Sequence, residues 1–359
     1  MRKLASIAVI SVVNPVENSD FLDVVQMKGK CWNIVVKRGT LHVGSPVVFF
    51  EIDSALPADD ERYAFLRERC LKQFKLADEV AFECLRLRTV KLRGVVSQGL
   101  VLPLSDFPEL HDDTSEGRDV TEILGVQHYD DLRQKYQTKQ IPGDQAGDFP
   151  YWLEKTDEER IQNLGDLFTR ESYKTMVFEV TEKYDGCSAT YFYAPEYRKG
   201  MNPFGVCSRN YELKETAANV YWEIARRCEI EQKLRDWHTT TGQSLAIQGE
   251  IVGPGINYNR DKYKDYEFYV FRIFDISATH WLNMMDCQDV AKKLNLNHVK
   301  VINPGMRVFQ ELPNIEAMLA FVEGKTDHGN EREGMVFKLF NNAIHFKCIN
   351  NKYLLSEKD

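Results

Sequence analysis

Short apolar segments, closely spaced and separated by turn residues, fill the first 104 residues of this 359-residue chain. Their length, their β-branched and aromatic residues and the Gly, Pro, Asn or Asp residues around them are typical of β-strands. We predict strands over residues 6–13, 23–27, 32–36, 46–52, 85–90 and 99–104, and a helical insert over residues 59–71. Many short strands with one helical insert indicate a small β-barrel of the OB type, although the same periodicity is typical of an SH3-like barrel.

Residues 105–147 are rich in Asp, Glu, Gly, Pro and Gln, which predicts a connecting region with one short helix near residues 130–136. Beyond it, strand patterns alternate with helical patterns. The strands are predicted over residues 176–182, 188–192, 244–252, 267–275, 334–340 and 343–348, and the helices over residues 216–227 and 286–294. This mixture is typical of an α+β domain built on antiparallel sheets. We expect an OB-type nucleic-acid-binding domain over residues 1–125, a linker over 126–150 and a second domain over 151–359.

The composition is that of a globular protein with two cores, because 43% of the residues are hydrophobic and 28% are charged. The formal net charge of -8 excludes a uniformly basic surface, so a polyanionic partner has to meet a local basic patch. The eight cysteines stand singly, which argues for reduced thiols rather than a zinc ribbon. No apolar run reaches the roughly 20 residues of a transmembrane helix, and residues 1–13 lack a convincing signal-peptide cleavage site. We expect a soluble intracellular monomer, in a compartment that the sequence does not specify.

Lys183 lies in the segment Glu182-Lys183-Tyr184-Asp185-Gly186, directly after a strand pattern. In an extended segment Lys183 and Asp185 point to the same side, which puts an amine and a carboxylate into one pocket. A lysine is a nucleophile only when deprotonated, and we expect a desolvated or cation-rich pocket to lower its pKa towards neutrality. The pattern K-x-D-G alone is also typical of a surface β-turn, because Asp-Gly is a common turn pair.

Five further segments follow Lys183 in a fixed order, over residues 208–210, 248–250, 269–275, 333–338 and 346–350. Together with Lys183 they resemble the nucleotidyltransferase motifs shared by DNA ligases, RNA ligases and messenger-RNA capping enzymes. The resemblance implies an ATP-grasp-like fold of antiparallel sheets and helices that transfers a nucleotide to Lys183. Phosphoryl transfer needs charge neutralisation and positioning, which cations and a divalent metal provide.

The resemblance assigns the acids and one lysine to catalysis. Glu250 and Glu333 resemble the two acidic strand residues, one at the ribose and the other near the metal, and Asp185 orients the amine or holds the metal. Oxygen ligands from Asp185, Glu250 and Glu333 suit Mg²⁺ or Mn²⁺. Lys347 resembles the lysine that binds the α-phosphate. Many ligases carry a second lysine two positions later, where this chain has Ile349; another cation, such as Lys338, Lys352 or His345, then has to replace it.

Six residues are implied in nucleotide binding: Arg160, Gln162, Glu182, Arg209, Phe274 and Lys338. Three of them have alternatives that the sequence leaves open. Arg209 is suited to a phosphate but also to an ion pair with Glu212 or Glu215. Phe274 is suited to stacking on the purine but also to the core of a buried strand. The segment around Arg160 resembles the polar stretch that precedes the nucleophile in RNA ligases, and Thr156 followed by Glu159 also forms a capping-box pattern that would begin a helix.

The N-terminal region narrows the family. Residues 41–57 and 87–100 look like the N-terminal OB domain of the ATP-dependent nick-sealing RNA ligases of the Deinococcus type, and the resemblance covers nearly the whole chain. Capping enzymes and most DNA ligases instead place an OB domain after the last motif, where this chain has only residues 350–359.

Arg86, Arg88, Lys91 and Arg93 form a local cationic stretch despite the acidic total. Alternation in an extended strand would put Arg86 and Arg88 on one face, where they are suited to the phosphates of RNA. The same charges are also typical of an edge strand that avoids aggregation.

The resemblance implies an RNA ligase that uses ATP and Mg²⁺ or Mn²⁺ to join a 3′-hydroxyl to a 5′-phosphate, through an AMP on Lys183 and an adenylylated 5′ end. We expect nicked duplex RNA as the substrate. Two alternatives remain open: a capping-type guanylyltransferase that uses GTP, and an inactive OB-containing RNA-binding protein. The natural RNA and its pathway are not specified by the sequence.

Overall fold

A computed structural model describes residues 3–76, 79–136, 144–215 and 219–356. The chain divides into two compact units. The first combines Met1–Lys139 with Gln162–Thr169 and Leu354–Asp359, and the second combines Gln140–Ile161 with Arg170–Tyr353. The polypeptide therefore leaves the second unit after Ile161, contributes eight residues to the first unit and returns. Within the described residues no helix is long and apolar enough to cross a membrane.

The first unit is built almost entirely of antiparallel strands. They form a five-stranded sheet, a four-stranded sheet and a two-stranded hairpin. The strands are Ala5–Pro15, Leu22–Met27, Ile34–Lys37, Pro46–Phe50, Ser54–Pro57, Leu71–Leu76, Glu79–Arg86, Val90–Leu92, Val95–Ser97, Leu100–Pro103 and Gln127–His128. The described helices are Arg67–Cys70 and Tyr129–Tyr136, with 3-10 turns at Glu61–Leu66, Leu104–Asp106 and Pro108–Leu110.

The strand Ala5–Pro15 serves two neighbours. Its first half pairs with Pro46–Phe50 and its second half pairs with Leu22–Met27, and the register shifts between Ile10 and Val12. Such a bulge bends a strand and increases its twist, which curves the sheet towards a barrel. The continuous apolar run of the Pro46–Phe50 strand is buried on both faces, one against Tyr63 and the other against Trp32.

The segment Gln162–Thr169 belongs to the first unit because polar contacts hold it there. The amide of Asn163 donates from Nδ2 to the Glu51 carboxylate at 2.6 Å and accepts from the Trp32 indole nitrogen at 2.6 Å. The backbone N–H of Cys31 donates to the carbonyl of Gln162 at 2.7 Å. Glu51 is buried, so the Asn163 amide supplies a donor that its desolvated carboxylate needs.

The second unit contains an eight-stranded sheet and a five-stranded sheet. The eight-stranded sheet consists of Gln145–Asp148, Cys187–Tyr193, Phe204–Cys207, Tyr211–Leu213, Leu245–Val252, Glu267–Asp275, His280–Trp281 and Asn297–His298. The five-stranded sheet consists of Glu159–Arg160, Phe178–Lys183, Val301–Met306, Gly334–Leu339 and His345–Ile349. The described helices are Glu171–Lys174, Val220–Arg227, Ile230–Thr241, Met284–Lys293, Val308–Glu311, Ile315–Val322 and Asn351–Leu355, with a 3-10 turn at Asn257–Asn259. The 3-10 turn Ile161–Asn163 lies at the boundary of the two units, and the 3-10 turn Gly165–Phe168 belongs to the first unit.

The two faces of the eight-stranded sheet differ in polarity. One face packs Tyr191, Ile247 and Ile273 against apolar side chains such as Ile224 and Leu234 from the helices. The opposite face carries polar residues such as Gln248 and Arg272 beside a smaller apolar cluster that includes Phe192 and Phe274. A sheet covered by helices on one side leaves its other face available for a cleft.

The α+β prediction is confirmed, and most predicted strands are present within a few residues of their predicted bounds. The structure differs at residues 85–90, where the strand Glu79–Arg86 ends and a separate hairpin begins at Val90. The predicted helix over residues 216–227 begins at Val220, and residues 216–218 lie outside the described residues. The helices Ile230–Thr241 and Ile315–Val322 were not predicted.

Candidate active site

The predicted catalytic residues lie on the polar faces of the two sheets of the second unit. Strand pairing aligns Lys183 with Gly334, and two residues further along the strands it aligns Thr181 with Val336, Val336 with Lys347 and Lys347 with Arg160. Paired residues project from the same side of a sheet, so Lys183 and Lys347 share one face. Lys338 continues this face, and its Nζ donates to the carbonyl of Phe271 on the eight-stranded sheet at 2.7 Å. That hydrogen bond connects the two sheets across the cleft.

Lys183 is the last residue of its strand and pairs with a carboxylate. Its Nζ lies 2.7 Å from Oε1 and 2.8 Å from Oε2 of Glu333. The following turn depends on Gly186, because a Cβ there would overlap the carbonyl of Ile251 and approach within 2.7 Å of Glu250 Cγ. The glycine of the K-x-D-G pattern therefore permits Glu250 and Lys183 to enter the same pocket.

Three groups hold Asp185. The Asn257 amide donates to its Oδ1 at 3.1 Å and to the carbonyl of Gly186 at 2.6 Å. The Arg260 Nε lies 3.7 Å from its Oδ2, and the Tyr353 hydroxyl donates to the same carboxylate. Sequence reasoning missed Asn257, Arg260 and Tyr353, because no motif marks them and they come from segments far from Lys183.

The pocket raises the pKa of Lys183 above its ordinary value. Burial alone would lower that pKa, but attraction to Glu333, Glu250 and Asp185 outweighs it. The sequence-based expectation of a lowered pKa is therefore wrong for Lys183, because the pocket is rich in anions rather than cations.

The same cluster of buried charges raises the pKa of two of the acids. Burial, with repulsion from Glu333 and Asp185, raises the pKa of Glu250 to about 8 despite the attraction of Lys183. Burial and repulsion from Glu333 raise the pKa of Asp185 to about 6. Excess negative charge of this kind fits a divalent cation with oxygen ligands. Among the described residues no group of three or more acidic, His or Cys side chains forms a complete metal cage. Mg²⁺ typically takes one or two carboxylates together with substrate phosphates and water, so this donor set fits it.

The cationic side of the cleft is organised by the acidic pair Asp157 and Glu158. Arg209 lies 3.3 Å and Lys347 lies 3.6 Å from the Asp157 carboxylate. Arg209 therefore does not form the predicted alternative ion pairs, since Glu212 pairs with Arg198 and Glu215 pairs with Arg226. An ion pair with Asp157 keeps Arg209 half exposed beside the cleft.

Glu158 lies deeper, 4.0 Å from Arg272. Burial alone would raise the pKa of Glu158, but Lys338, Lys347 and Arg272 outweigh it and lower that pKa. No helix begins at residue 156, so the capping-box alternative is wrong; the segment instead forms the strand Glu159–Arg160.

Phe274 has the position of a core residue. It is 1% exposed and packs with Phe192, Ala246 and Trp281. Phe271 is half-buried beside Lys338, and a register shift opposite Gln248 inserts it into its strand as an extra residue. Bulges re-aim side chains, which here places a second aromatic ring on the cleft side.

The remaining residues that were predicted to bind the nucleotide lie in different parts of the structure. Arg160 is buried beside Lys347. Gln162 is buried in the first unit, and its side-chain amide has no hydrogen-bond partner among the described residues. Strand alternation turns Glu182 away from Lys183, and burial raises the pKa of its carboxyl.

Ile349 is buried where many ligases have a second lysine, and it pairs with Gly334 in the row of Lys183. Of the three substitutes considered from the sequence, His345 and Lys338 are paired neighbours on the sheet, whereas Lys352 forms an ion pair with Glu323. The sheet therefore brings Lys338 to the cleft.

The cationic stretch of the first unit does not form one stripe. Arg86 ends its strand, lies 3.9 Å from Asp53 and stacks over the Tyr129 ring at 4.3 Å. Arg88 lies outside the strands, so the two arginines do not alternate along one extended segment as predicted. Lys91 and Arg93 are exposed on the hairpin formed by Val90–Leu92 and Val95–Ser97.

Comparisons with known proteins agree with this arrangement. A model of the RNA ligase family matches residues 176–350, and a model of an OB-fold domain matches residues 4–104, which decides between the two barrel types considered from the sequence. A search of curated protein sequences gives no match.

Solved structures match over the full length. A mutant of Naegleria gruberi RNA ligase with ATP and Mn is 35% identical, with a TM-score of 0.84 and coverage of 100% of this chain and 100% of that chain. A mutant with AMP and Mn has the same values. The same enzyme with PPi is 36% identical, with a TM-score of 0.83 and coverage of 99% of this chain and 98% of that chain. The narrower assignment to the Deinococcus type stays a prediction.

The crowded carboxylates predict a pH-dependent stability. In metal-free protein, Glu250→Gln should raise the melting temperature at about pH 8 and change it little at about pH 5. The pKa of Glu250 is about 8 in the folded protein and 4.5 ordinarily, so its ionisation favours unfolding as the pH rises between these values. Glutamine cannot ionise, and its advantage grows across the same interval. Thermal unfolding in a chelator measures the effect, with Glu316→Gln as the exposed control. An equal change in melting temperature at every pH would contradict the raised pKa of Glu250.

Proposed function

The chain belongs to the RNA ligase family, and from this premise we propose that it joins RNA ends through a covalent AMP on Lys183. It is an ATP-dependent RNA ligase, with ATP and Mg²⁺ or Mn²⁺ as cofactors. The observation that carries the proposal is the position of Lys183 at the end of its strand, among Glu333, Glu250 and Asp185 and on the same sheet face as Lys347.

In the first step the Lys183 amine, after losing its proton, attacks the α-phosphorus of ATP. A nitrogen–phosphorus bond forms, the bond to the bridging oxygen breaks, and pyrophosphate leaves. Lys347 and Arg160 are placed on the same sheet face as Lys183, where they can neutralise the phosphates as charge develops. Arg209, which the ion pair with Asp157 keeps at the cleft, is suited to the outer phosphates or to the incoming RNA phosphate.

Asp185, Glu250 and Glu333 would hold the divalent cation, together with phosphate oxygens. When bound, the cation neutralises the carboxylates that raise the pKa of Lys183, and it also offsets the charge of the phosphates. The ion pair with Glu333 favours the protonated form of Lys183. We further propose that one of the two strand acids binds the ribose, as the family resemblance implies.

Two later steps complete the joining. The RNA 5′-phosphate attacks the AMP phosphorus and frees the Lys183 amine; the 3′-hydroxyl then attacks the 5′-phosphate and AMP leaves. We propose that the protein acts as a monomer on nicked duplex RNA, with residues 1–125 as the RNA-binding domain, 126–150 as the linker and 151–359 as the nucleotidyltransferase domain. In the first domain, Lys91 and Arg93 are better placed for phosphates than Arg86, which Asp53 and Tyr129 engage.

We propose Phe271, rather than Phe274, as the ring that stacks on the purine. Phe271→Ala should raise the KM for ATP about fivefold or more with little loss of stability, because it removes a stacking surface. Phe274→Ala should instead destabilise the fold by about 3 to 5 kcal/mol, as expected for a buried aromatic residue. Adenylylation rates at varied ATP and urea unfolding separate the two. A raised KM for ATP in Phe274→Ala together with a destabilised Phe271→Ala would instead assign purine stacking to Phe274.

A second test separates the steps. Lys183→Ala should fail to join RNA that carries a 5′-phosphate, even with ATP, yet should seal the same RNA supplied with AMP already on its 5′ end. The reason is that the last step needs the cleft but no lysine nucleophile. Electrophoresis of labelled RNA measures both reactions. Joining of the 5′-phosphate RNA by this variant would contradict the proposal, and labelling of the wild-type protein by GTP but not by ATP would favour a guanylyltransferase.

A further inference from the structure

The loop Gly253–Tyr266 joins the strand that carries Glu250 to the strand that carries Phe271. Its backbone is unusual, because the consecutive residues Asn257, Tyr258 and Asn259 all have positive φ, at 41°, 62° and 44°. Side chains other than glycine rarely adopt this conformation, and a run of three requires strong support from the surroundings. Strained backbone of this kind clusters at functional sites, where the surrounding contacts hold it.

The support comes from the active site. Asn257 donates to Asp185 and to the carbonyl of Gly186. Arg260 faces Asp185 and stacks over the ring of Tyr353 at 4.3 Å. On the far side, the Asn330 amide donates to the carbonyl of Arg260 at 2.9 Å. The inner side of the loop is therefore fixed to the acid next to the nucleophile.

The outer side of the loop presents one aromatic ring and two cations. Tyr258 is 72% exposed, although its neighbours Asn257 and Asn259 are partly buried. Lys262 and Lys264 are exposed, and no described residue forms an ion pair with either of them. Asp261, between Arg260 and Lys262, accepts from the Thr326 hydroxyl at 2.7 Å and is half-buried, and Asp265 beside Lys264 is exposed. The exposed charges of the loop are therefore two lysines and one aspartate, a local positive excess on a protein whose total charge is -8.

A recess behind the loop is lined by Tyr184, Asp185, Ile256, Arg260 and Tyr263 among others. Its wall therefore includes the Asp185 carboxylate of the reacting centre.

We propose that this loop binds the RNA end during joining: Tyr258 stacks on a base beside the break, and Lys262 and Lys264 contact backbone phosphates. An exposed aromatic ring flanked by cations is the combination that recognises unstacked nucleotides. The anchoring of Asn257 to Asp185 fixes the distance between the stacked base and the reacting phosphate. The inference rests on the proposed RNA ligase function and names the surface that meets the RNA.

Binding of nicked duplex RNA, followed by fluorescence anisotropy, tests the proposal directly. Tyr258→Ala should weaken binding about fivefold or more, whereas Tyr258→Phe should retain it, because the ring and not the hydroxyl stacks. Replacing both Lys262 and Lys264 with alanine should reduce the slope of log affinity against log salt by about 0.9 for each lost contact with a duplex phosphate. Tyr151→Ala, which removes a ring that is 95% exposed, is the matched control and should bind as the wild type does.

Tyr258→Gly separates a binding role from a structural one. Glycine adopts positive φ without strain, so this variant should melt at or above the temperature of the wild type and still bind RNA weakly. Wild-type affinity in both Tyr258→Ala and Tyr258→Gly would overturn the proposal. Adenylylation with ATP alone is measured in parallel on the wild-type protein. Its failure would contradict the proposed function, while the comparison of RNA affinities still decides the role of the loop.

Discussion

The ion pair between Lys183 and Glu333 is the interaction on which the candidate active site depends. Burying an ammonium together with three carboxylates is unfavourable unless the charges compensate one another, and here they do so incompletely. The raised pKa values of Glu250 and Asp185 express that imbalance. A site of this kind is prepared for a divalent cation and a polyphosphate, whose charges complete the balance.

Two sheets of the second unit carry the residues of this arrangement. The apolar face of the eight-stranded sheet is covered by helices, which leaves the other face to carry Gln248, Glu250 and Arg272. The five-stranded sheet aligns Lys183 and Lys347 through strand register alone. A slip of one residue would turn either lysine away from the cleft, so the apolar packing that fixes the register also fixes the chemistry.

Much of this was accessible from the sequence. The short strands of the barrel and the ordered motifs around Lys183, Glu250, Glu333 and Lys347 predicted the fold class and brought together the residues that the structure places in one cleft. Those predictions succeeded because strand alternation and residue spacing are local properties. The predictions that failed concern side chains whose partners are distant in the sequence.

The pKa of Lys183 was predicted in the wrong direction because two of the acids that surround it, Glu250 and Glu333, reach the pocket from distant parts of the chain. Phe274 and Phe271 could not be separated by alternation, since the register shift between them is visible only in the paired strands. Asn257 and Arg260 carry no motif and reach Asp185 only through a loop of unusual backbone. Arg86 has a cationic sequence context, yet its guanidinium is engaged by Tyr129.

The most direct test of the account is mass spectrometry of the purified protein after incubation with ATP and Mg²⁺, followed by peptide mapping. The account predicts one AMP on the peptide that contains Lys183, and none on that peptide in Lys183→Ala. An unmodified wild-type protein, or AMP on Lys347 or Lys338 in place of Lys183, would contradict it.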